Sequence, residues 1–144
     1  MKAKAGALRH DVLVDAGPLV AMLNAGDRHH ASVARQLARI RPPLITCEAV
    51  LAEAAYLVRH LPGGRAALLE MVDEKFLAVG LQITEHSAEL LALVKRYASV
   101  PMSLADACMV RLAELFPRSA VWTLDSDFAV YRKNGRQVIP VLPP

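Results

Sequence analysis

Cysteine is scarce in this chain of 144 residues, and the usual marks of export or membrane insertion are missing. Its two cysteines, Cys47 and Cys108, lie far apart inside apolar helical patterns. This placement favours small core residues in a reducing compartment over a disulfide or metal framework. No apolar run reaches the roughly 18 residues of a membrane span, and residues 1–10 lack the apolar segment of a signal peptide. We therefore expect a cytoplasmic protein without a membrane partner.

Two common nucleotide-binding motifs are also absent. The sequence has neither a G-x-x-x-x-G-K-[ST] loop nor a G-x-G-x-x-G turn, which excludes the enzymes that depend on them. A phosphatase of the haloacid dehalogenase type needs a second Asp two residues after the first, and the residue two places after Asp15 is Gly17. The chemistry of this chain must therefore depend on other residues.

Charge is nearly balanced, with 17 Lys and Arg residues against 14 Asp and Glu residues and a formal net charge of +3. This small positive excess modestly favours an anionic partner such as nucleic acid. Hydrophobic residues make up 54% of the chain, which is high for one small domain. We therefore expect some apolar surface to be shared with another protein chain.

Short apolar runs alternate with helical patterns along the chain. The runs at 12–14, 44–46 and 120–123 show no alternation of apolar and polar residues, which is typical of central parallel strands covered on both faces. A further strand is predicted within 76–83 and a last one at 138–142. The pattern predicts a three-layer α/β/α fold around a mainly parallel sheet of about five strands.

Nothing in the sequence marks a second domain, because no repeat, linker or change in composition interrupts it. We expect a flexible lead-in at residues 1–10 and a single domain at residues 11–144. Within that domain, Asp27, Thr46 and Thr84 each precede a helical pattern and are predicted to cap it.

Two acidic residues allow both a structural and a functional interpretation. Asp15 ends the first predicted strand just before Pro18, so it can cap the next helix or face the ligand crevice beyond the strand ends. Glu53 stands on an almost wholly apolar helix surface, where an unpaired buried carboxylate is costly. Either a core-lining Arg pairs with Glu53 or this residue belongs to a functional site.

Further acids follow in the second half of the chain. Asp106 stands three residues after Ser103 in the S-x-x-D form of a capping box, and such an acid can still face the sheet edge. Asp125 follows the fourth predicted strand and has no capping role, whereas Asp127 can cap the turn at 128–132.

These carboxylates are expected to meet at one edge of the sheet. Acids packed together repel and raise one another's pKa values unless a cation neutralises them. A set of ligands with oxygen and no sulfur suits Mg²⁺ or Mn²⁺. The sequence therefore predicts a site for one or two such ions, formed by Asp15, Glu53, Asp106 and Asp125.

These motifs, in their order and spacing, resemble the PIN-domain nucleases, and within them the VapC-like toxins of bacterial and archaeal toxin–antitoxin pairs. The resemblance covers nearly the whole chain after residue 10. The matching stretches are VLVDAGPLVAML at 12–23, AVLAEAAYLV at 49–58, SLADACMVRLA at 103–113 and VWTLDSDF at 121–128.

The resemblance implies a role for each matching residue. Thr123 takes the place of the hydroxyl residue that supports the fourth acid, and Asp127 is a further supporting candidate beside it. The chain departs from many relatives at Ala16, where they have a Ser or Thr hydroxyl. The catalytic, metal-binding acids of the family correspond to Asp15, Glu53, Asp106 and Asp125.

An activity is also implied by the resemblance. It is Mg²⁺- or Mn²⁺-dependent cleavage of single-stranded RNA by two-metal in-line hydrolysis, which leaves a 3′-hydroxyl and a 5′-phosphate. The alternative is a PIN-like module that binds RNA or a protein and has little or no catalytic activity. The candidate RNA-binding residues are Arg28, Arg35, Arg39, Arg132, Lys133 and Arg136.

The resemblance to VapC-like toxins further implies two protein partners. One is a second copy of the chain in a homodimer, and the other is a small antitoxin protein that inhibits the enzyme. The helices predicted within 18–40 and 48–59 are expected to supply much of the contact.

Overall fold

The computed structural model describes residues 10–143 of the chain. A four-stranded parallel sheet has the strand order β3-β2-β1-β4, and six α-helices flank it. The predicted lead-in lies outside the described residues except for His10. The elements are β1 (Asp11–Val14), α1 (Ala16–Leu23), α2 (His30–Leu37), β2 (Leu44–Thr46), α3 (Glu48–Leu57), α4 (Gly64–Asp73), β3 (Leu77–Val79), α5 (Ser87–Arg96), α6 (Leu104–Leu115), β4 (Ser119–Trp122), β5 (Arg132–Lys133) and β6 (Gln137–Val138).

Strand β1 lies in the interior of the sheet, as its continuous apolar run predicts. Leu13 is fully buried and pairs in parallel register with Ile45 on one side and Val121 on the other. Both faces of β1 are covered, so the α/β/α class expected from the sequence is confirmed.

The last predicted strand is only partly formed. β6 pairs with β5 in a short antiparallel hairpin, and Val141 then makes an isolated parallel bridge with Val121 of β4. Pro140 and Pro143 flank that bridge, and proline has no N–H group to extend a ladder. The parallel sheet therefore has four strands and a single bridge at the fifth position.

Helix α6 is the most deeply buried of the helices, with its Met109 and Leu112 fully enclosed. Cys47 and Cys108 are buried free thiols, which agrees with their predicted place in the core. Across residues 10–143, no helix has the length and apolar character needed to cross a membrane.

The predicted helix starts need correction. Thr46 belongs to β2, where its hydroxyl donates to the Val14 carbonyl at 2.9 Å, and Cys47 is the N-cap of α3. Thr84 lies in a 3₁₀ turn (Ile83–Glu85), and α5 begins only at Ser87. The Asp27 carboxylate does accept the backbone N–H of His29, but α2 begins one residue later, at His30. The Thr46 hydroxyl bonds to the neighbouring strand β1, and no local sequence pattern predicts this bond.

Candidate functional site

Asp15 has both of the roles that its sequence context left open. Its Oδ1 accepts the backbone N–H of Ala16 at 2.8 Å and so caps α1. Its Oδ2 accepts the hydroxyl of Thr123 at 2.9 Å, across from the end of β4. Asp15 is buried, so the C-terminal edge of the sheet holds a carboxylate within the fold.

Thr123 connects the ends of the two neighbouring strands. Its hydroxyl donates to Asp15 and also accepts the backbone N–H of Asp125 at 3.3 Å. The Asp125 carboxylate in turn accepts the backbone N–H of Asp127 at 2.9 Å. The loop that follows β4 packs against the start of α1, where a Cβ added to Gly17 would lie 3.3 Å from the Leu124 Cβ. The predicted supporting residue therefore holds two of the four acids in place.

Asp106 is held by three hydrogen bonds. The predicted capping box is present, because Ser103 Oγ accepts the Asp106 N–H at 3.0 Å and Asp106 Oδ2 accepts the Ser103 N–H at 3.1 Å. Tyr131 donates its hydroxyl to the same Oδ2 at 3.0 Å. Within residues 10–143, Oδ1 has no hydrogen-bond partner, so this oxygen is available to a ligand.

Tyr131 was not identified by the sequence reasoning, although it contacts one of the acids. The residue is fully buried, and its ring packs edge-on against Tyr97 at 5.2 Å and Phe128 at 5.4 Å. Burial and the hydrogen bond to Asp106 raise the pKa of the Tyr131 phenol. It therefore remains a proton donor to Asp106. No motif signals this contact, because the two residues belong to different elements and meet only in the folded chain.

Glu53 was expected to be buried among apolar residues, but it lies on an exposed surface. The residue itself is exposed on α3, as are the neighbouring Tyr56 and Leu57. The Arg partner left open by the sequence is not seen: in the described part of the chain, the ion pairs are Arg111 with Glu89 and with Glu114. Glu53 is therefore an acid without a salt bridge among those residues.

The acids influence one another although they come from four separate elements. Burial raises the pKa of Asp15, and the charges of Asp125 and Asp106 add to this, while the bonds from Ala16 and Thr123 oppose it. Desolvation also raises the pKa of Glu53, and the charges of the other three acids raise it further. The negative charge of Asp125 raises the pKa of Asp127. The sheet edge therefore carries concentrated negative charge.

Mg²⁺ or Mn²⁺ fits the chemistry of these donors, since they are carboxylate oxygens that form no salt bridge with the Lys, Arg or His side chains of residues 10–143. Within residues 10–143, however, no three His, Cys, Asp or Glu side chains form a group that could hold one ion in their present positions. The exposed Glu53 and Asp125 have room to move, whereas Asp15 and Asp106 are fixed by hydrogen bonds. Binding an ion would therefore require the exposed side chains of Glu53 and Asp125 to change their positions.

The basic candidates are scattered over the fold. Arg28 is exposed, and its Nε donates to His29 at 3.1 Å beside the cavity that borders Asp125. Arg35 is exposed further along α2. Arg39 lines a cleft with Asp11, at the opposite edge of the sheet from the acids. Arg28 and Arg39, which flank α2, therefore lie beside different cavities.

The remaining basic candidates lie near the C-terminal hairpin. Lys133 is buried, and its Nζ donates to the Pro117 carbonyl at 3.5 Å. Arg132 donates to three carbonyls of its own turn. Arg136 is exposed between β5 and β6. Of these three, Arg136 has the most accessible charge.

Comparisons with known proteins agree with this geometry. A family model described as the PIN domain matches residues 12–134. The solved structure of Mycobacterium tuberculosis VapC20, described as a toxin that cleaves the sarcin–ricin loop, matches with a TM-score of 0.76 and 21% sequence identity. That match covers 83% of this chain and 94% of the VapC20 chain, and it shows a shared fold. A search of curated proteins found no match.

Proposed function

Because the chain belongs to the PIN-domain family, we propose that it is a metal-dependent endoribonuclease that cuts single-stranded RNA. One observation carries this proposal: Asp15 is buried at the C-terminal end of β1, where Thr123 bonds both to its carboxylate and to the backbone N–H of Asp125. Burial raises the pKa of Asp15, and the charges of Asp125 and Asp106 raise it further. Such a cluster destabilises the fold unless a cation offsets it. A bound cation would therefore offset the repulsion among these carboxylates.

Asp15, Asp106 and Asp125 would hold Mg²⁺ or Mn²⁺, and Glu53 would bind a second ion or orient the attacking water. When bound, the metal lowers the pKa of a water and offsets the charge that develops on the phosphate. Thr123 fixes the direction of the Asp15 carboxylate, and Tyr131 fixes that of Asp106. Glu53 is exposed on α3, so a water or an ion can reach its carboxylate from solvent.

We propose further that the enzyme is the toxin of a toxin–antitoxin pair in the cytoplasm, and that it forms a homodimer. The fold shared with the VapC20 toxin supports this proposal. On α3, Tyr56 is 62% exposed and Leu57 is 39% exposed, which leaves apolar surface for a protein partner. An antitoxin could extend a Lys or Arg side chain toward the acids and replace the charge of the metal.

A cleavage assay with a matched pair of variants tests the nuclease proposal. Single-stranded RNA, including a hairpin with the sarcin–ricin loop sequence, would be incubated with Mg²⁺, with Mn²⁺ and with excess chelator. Asp15→Asn should abolish cleavage, whereas Asp11→Asn should not, since Asp11 is an exposed residue at the other end of the same strand. Undiminished cleavage by Asp15→Asn, or in chelator, would refute the mechanism.

A binding module without catalysis remains the second candidate. It is favoured by one observation, namely that no three side chains within residues 10–143 are arranged to hold an ion as they stand. RNA binding by the wild-type chain, with no cleavage in either metal, would support this alternative. Sequencing the ends of cellular RNA after induced expression would identify the cut sites if the enzyme is active.

A further inference from the structure

A cavity of about 370 Å³ opens beside the acidic cluster and has no part in the mechanism above. It lies between the first turns of α2, the loop after β4 and the final segment of the described chain. Thr123 and Asp125 line it, so the cavity and the acidic cluster share a wall. A volume of this size is at the small end of the range for ligand pockets.

The interior of the cavity is apolar and fixed by the core. Val33 is 1% exposed and Trp122 is 3% exposed, so these two lining residues belong to the packed core and present little surface of their own to a ligand. The exposed Leu124 and the half-buried Leu142 supply accessible apolar surface to the lining. The apolar part of this lining suits a flat, weakly hydrated group, while Asp125 belongs to the wall that the cavity shares with the acidic cluster.

Polar side chains that could recognise a ligand also line the cavity. The Gln36 side chain is half-buried, and no hydrogen bond engages its amide within residues 10–143. His29 Nε2 accepts the Nε of Arg28, which leaves Nδ1 as a donor in the neutral ring. An amide and an imidazole can together bond to the edge of a nucleobase. Arg28 is exposed beside His29 and can meet the adjoining phosphate.

We propose that this cavity binds one unpaired nucleobase of the RNA substrate, next to the phosphate that is cut. The inference rests on the proposed nuclease function, because the RNA that enters the acidic cluster would position this base. Apolar walls hold the face of the base, and Gln36 with His29 contacts its edge. The cavity therefore contributes to both the affinity for RNA and the choice of cleavage position.

Two neighbouring positions on α2 provide a matched test. Ser32 lines the cavity, whereas Ala31 is exposed and does not line it, so a leucine at position 32 fills the space and one at position 31 does not. Leucine adds volume without a flat face on which a base can stack. Ser32→Leu should weaken binding of a short, fluorescein-labelled single-stranded RNA about tenfold, the effect of losing one stacked base. Ala31→Leu should bind within about twofold of wild type.

Base selection gives a second, independent readout. Gln36→Leu should change the nucleotide preferred beside the cut, because the amide that contacts the base edge is lost. Trp122, the single tryptophan, lies in the cavity wall, so its fluorescence should fall when RNA binds to wild type and change less in Ser32→Leu. Thermal melts of all variants would confirm that they fold.

The outcomes separate this inference from the proposed function. If wild type neither binds nor cleaves RNA, the proposed function fails. If wild type binds and cleaves RNA, but Ser32→Leu binds it equally well and Gln36→Leu keeps the same cleavage preference, the cavity does not hold a base and the inference is overturned.

Discussion

Asp15 shows how one side chain can stabilise a helix and still be costly to the fold. Its two oxygens are both hydrogen-bonded, yet burial and the nearby acids keep its pKa above the ordinary value of 3.8. The folded protein therefore binds this proton more tightly than the unfolded chain does. The stability gained from protonation is complete below about pH 3.8 and is lost as the pH rises through the folded-state pKa.

A pH series on the metal-free protein tests this prediction. In chelator, the free energy of unfolding of wild type should fall relative to that of Asp15→Asn as the pH rises from 4 toward neutrality. Asparagine can still cap α1 but carries no charge. Near pH 7 the variant should therefore melt at the wild-type temperature or above it. Urea unfolding at several pH values measures the difference, and a difference that does not change with pH would contradict the prediction.

The two buried tyrosines give a second prediction at the residue scale. Tyr131→Phe removes the donor to Asp106, whereas Tyr97→Phe removes an acceptor for the Arg132 N–H in the same aromatic group. We expect Tyr131→Phe to lower Mn²⁺ affinity by roughly 10-fold, as the loss of a group that orients a metal ligand does. Calorimetric titration with Mn²⁺ would measure this, and Tyr97→Phe should bind Mn²⁺ like wild type. Equal affinities in both variants would show that Tyr131 has no orienting role.

At the scale of elements, parallel strands bring the acids to one edge. Asp15 and Asp125 follow adjacent strands, β1 and β4, which run in register from Asp11 with Ser119 to Val14 with Trp122. Asp106 is at the start of α6, where the capping box limits its side chain to one direction. Glu53 is in the middle of α3, so its position depends on how α3 packs against α1 and α6.

The two arginines that flank α2 give a prediction about RNA binding, because they lie beside different cavities. Arg28 precedes α2 and donates to His29, which lines the cavity beside Asp125, and Arg39 follows α2 and lines the cleft that contains Asp11. Arg28→Glu should weaken RNA binding and lower the slope of log affinity against log salt by about 1. Arg39→Glu should leave that slope near the wild-type value. Anisotropy titrations at several salt concentrations would show it, and equal slopes for the two variants would remove Arg28 from the RNA path.

For the whole molecule, the high apolar content is explained only in part by the core. Large apolar side chains remain exposed on α3, α4 and α5, among them Tyr56, Leu69 and Leu91. Not all of these need a partner, since isolated apolar residues are common on protein surfaces. Tyr56 and Leu57 are adjacent exposed apolar residues on α3, and we propose that they supply the contact in the homodimer.

Two substitutions of the same kind test that contact. Leu57→Glu on α3 should shift the protein from dimer to monomer, because a buried unpaired charge at an interface is costly. Leu91→Glu on α5 should remain a dimer, although Leu91 is more exposed, at 55% against 39%. Light scattering coupled to gel filtration would report the mass. A monomeric wild type, or dimers in both variants, would exclude the α3 contact.

The sequence by itself determined the elements whose signals are local. The apolar runs of β1 and β4, the capping box at Ser103 and the acid at the end of each strand can all be identified from neighbouring residues. The order of these motifs also indicated the family and the fold, because parallel strands place their carboxyl ends together.

Only the tertiary structure decided how the acids are supported and which charges face solvent. The bond from Thr123 to Asp15 spans 108 positions, and that from Tyr131 to Asp106 spans 25, so no local pattern signals either contact. Lys133 is a candidate RNA-binding residue because of its positive charge alone. In the folded chain its Nζ donates to the carbonyl of Pro117. A side chain's partners depend on elements that are distant in sequence, and packing alone brings those elements together.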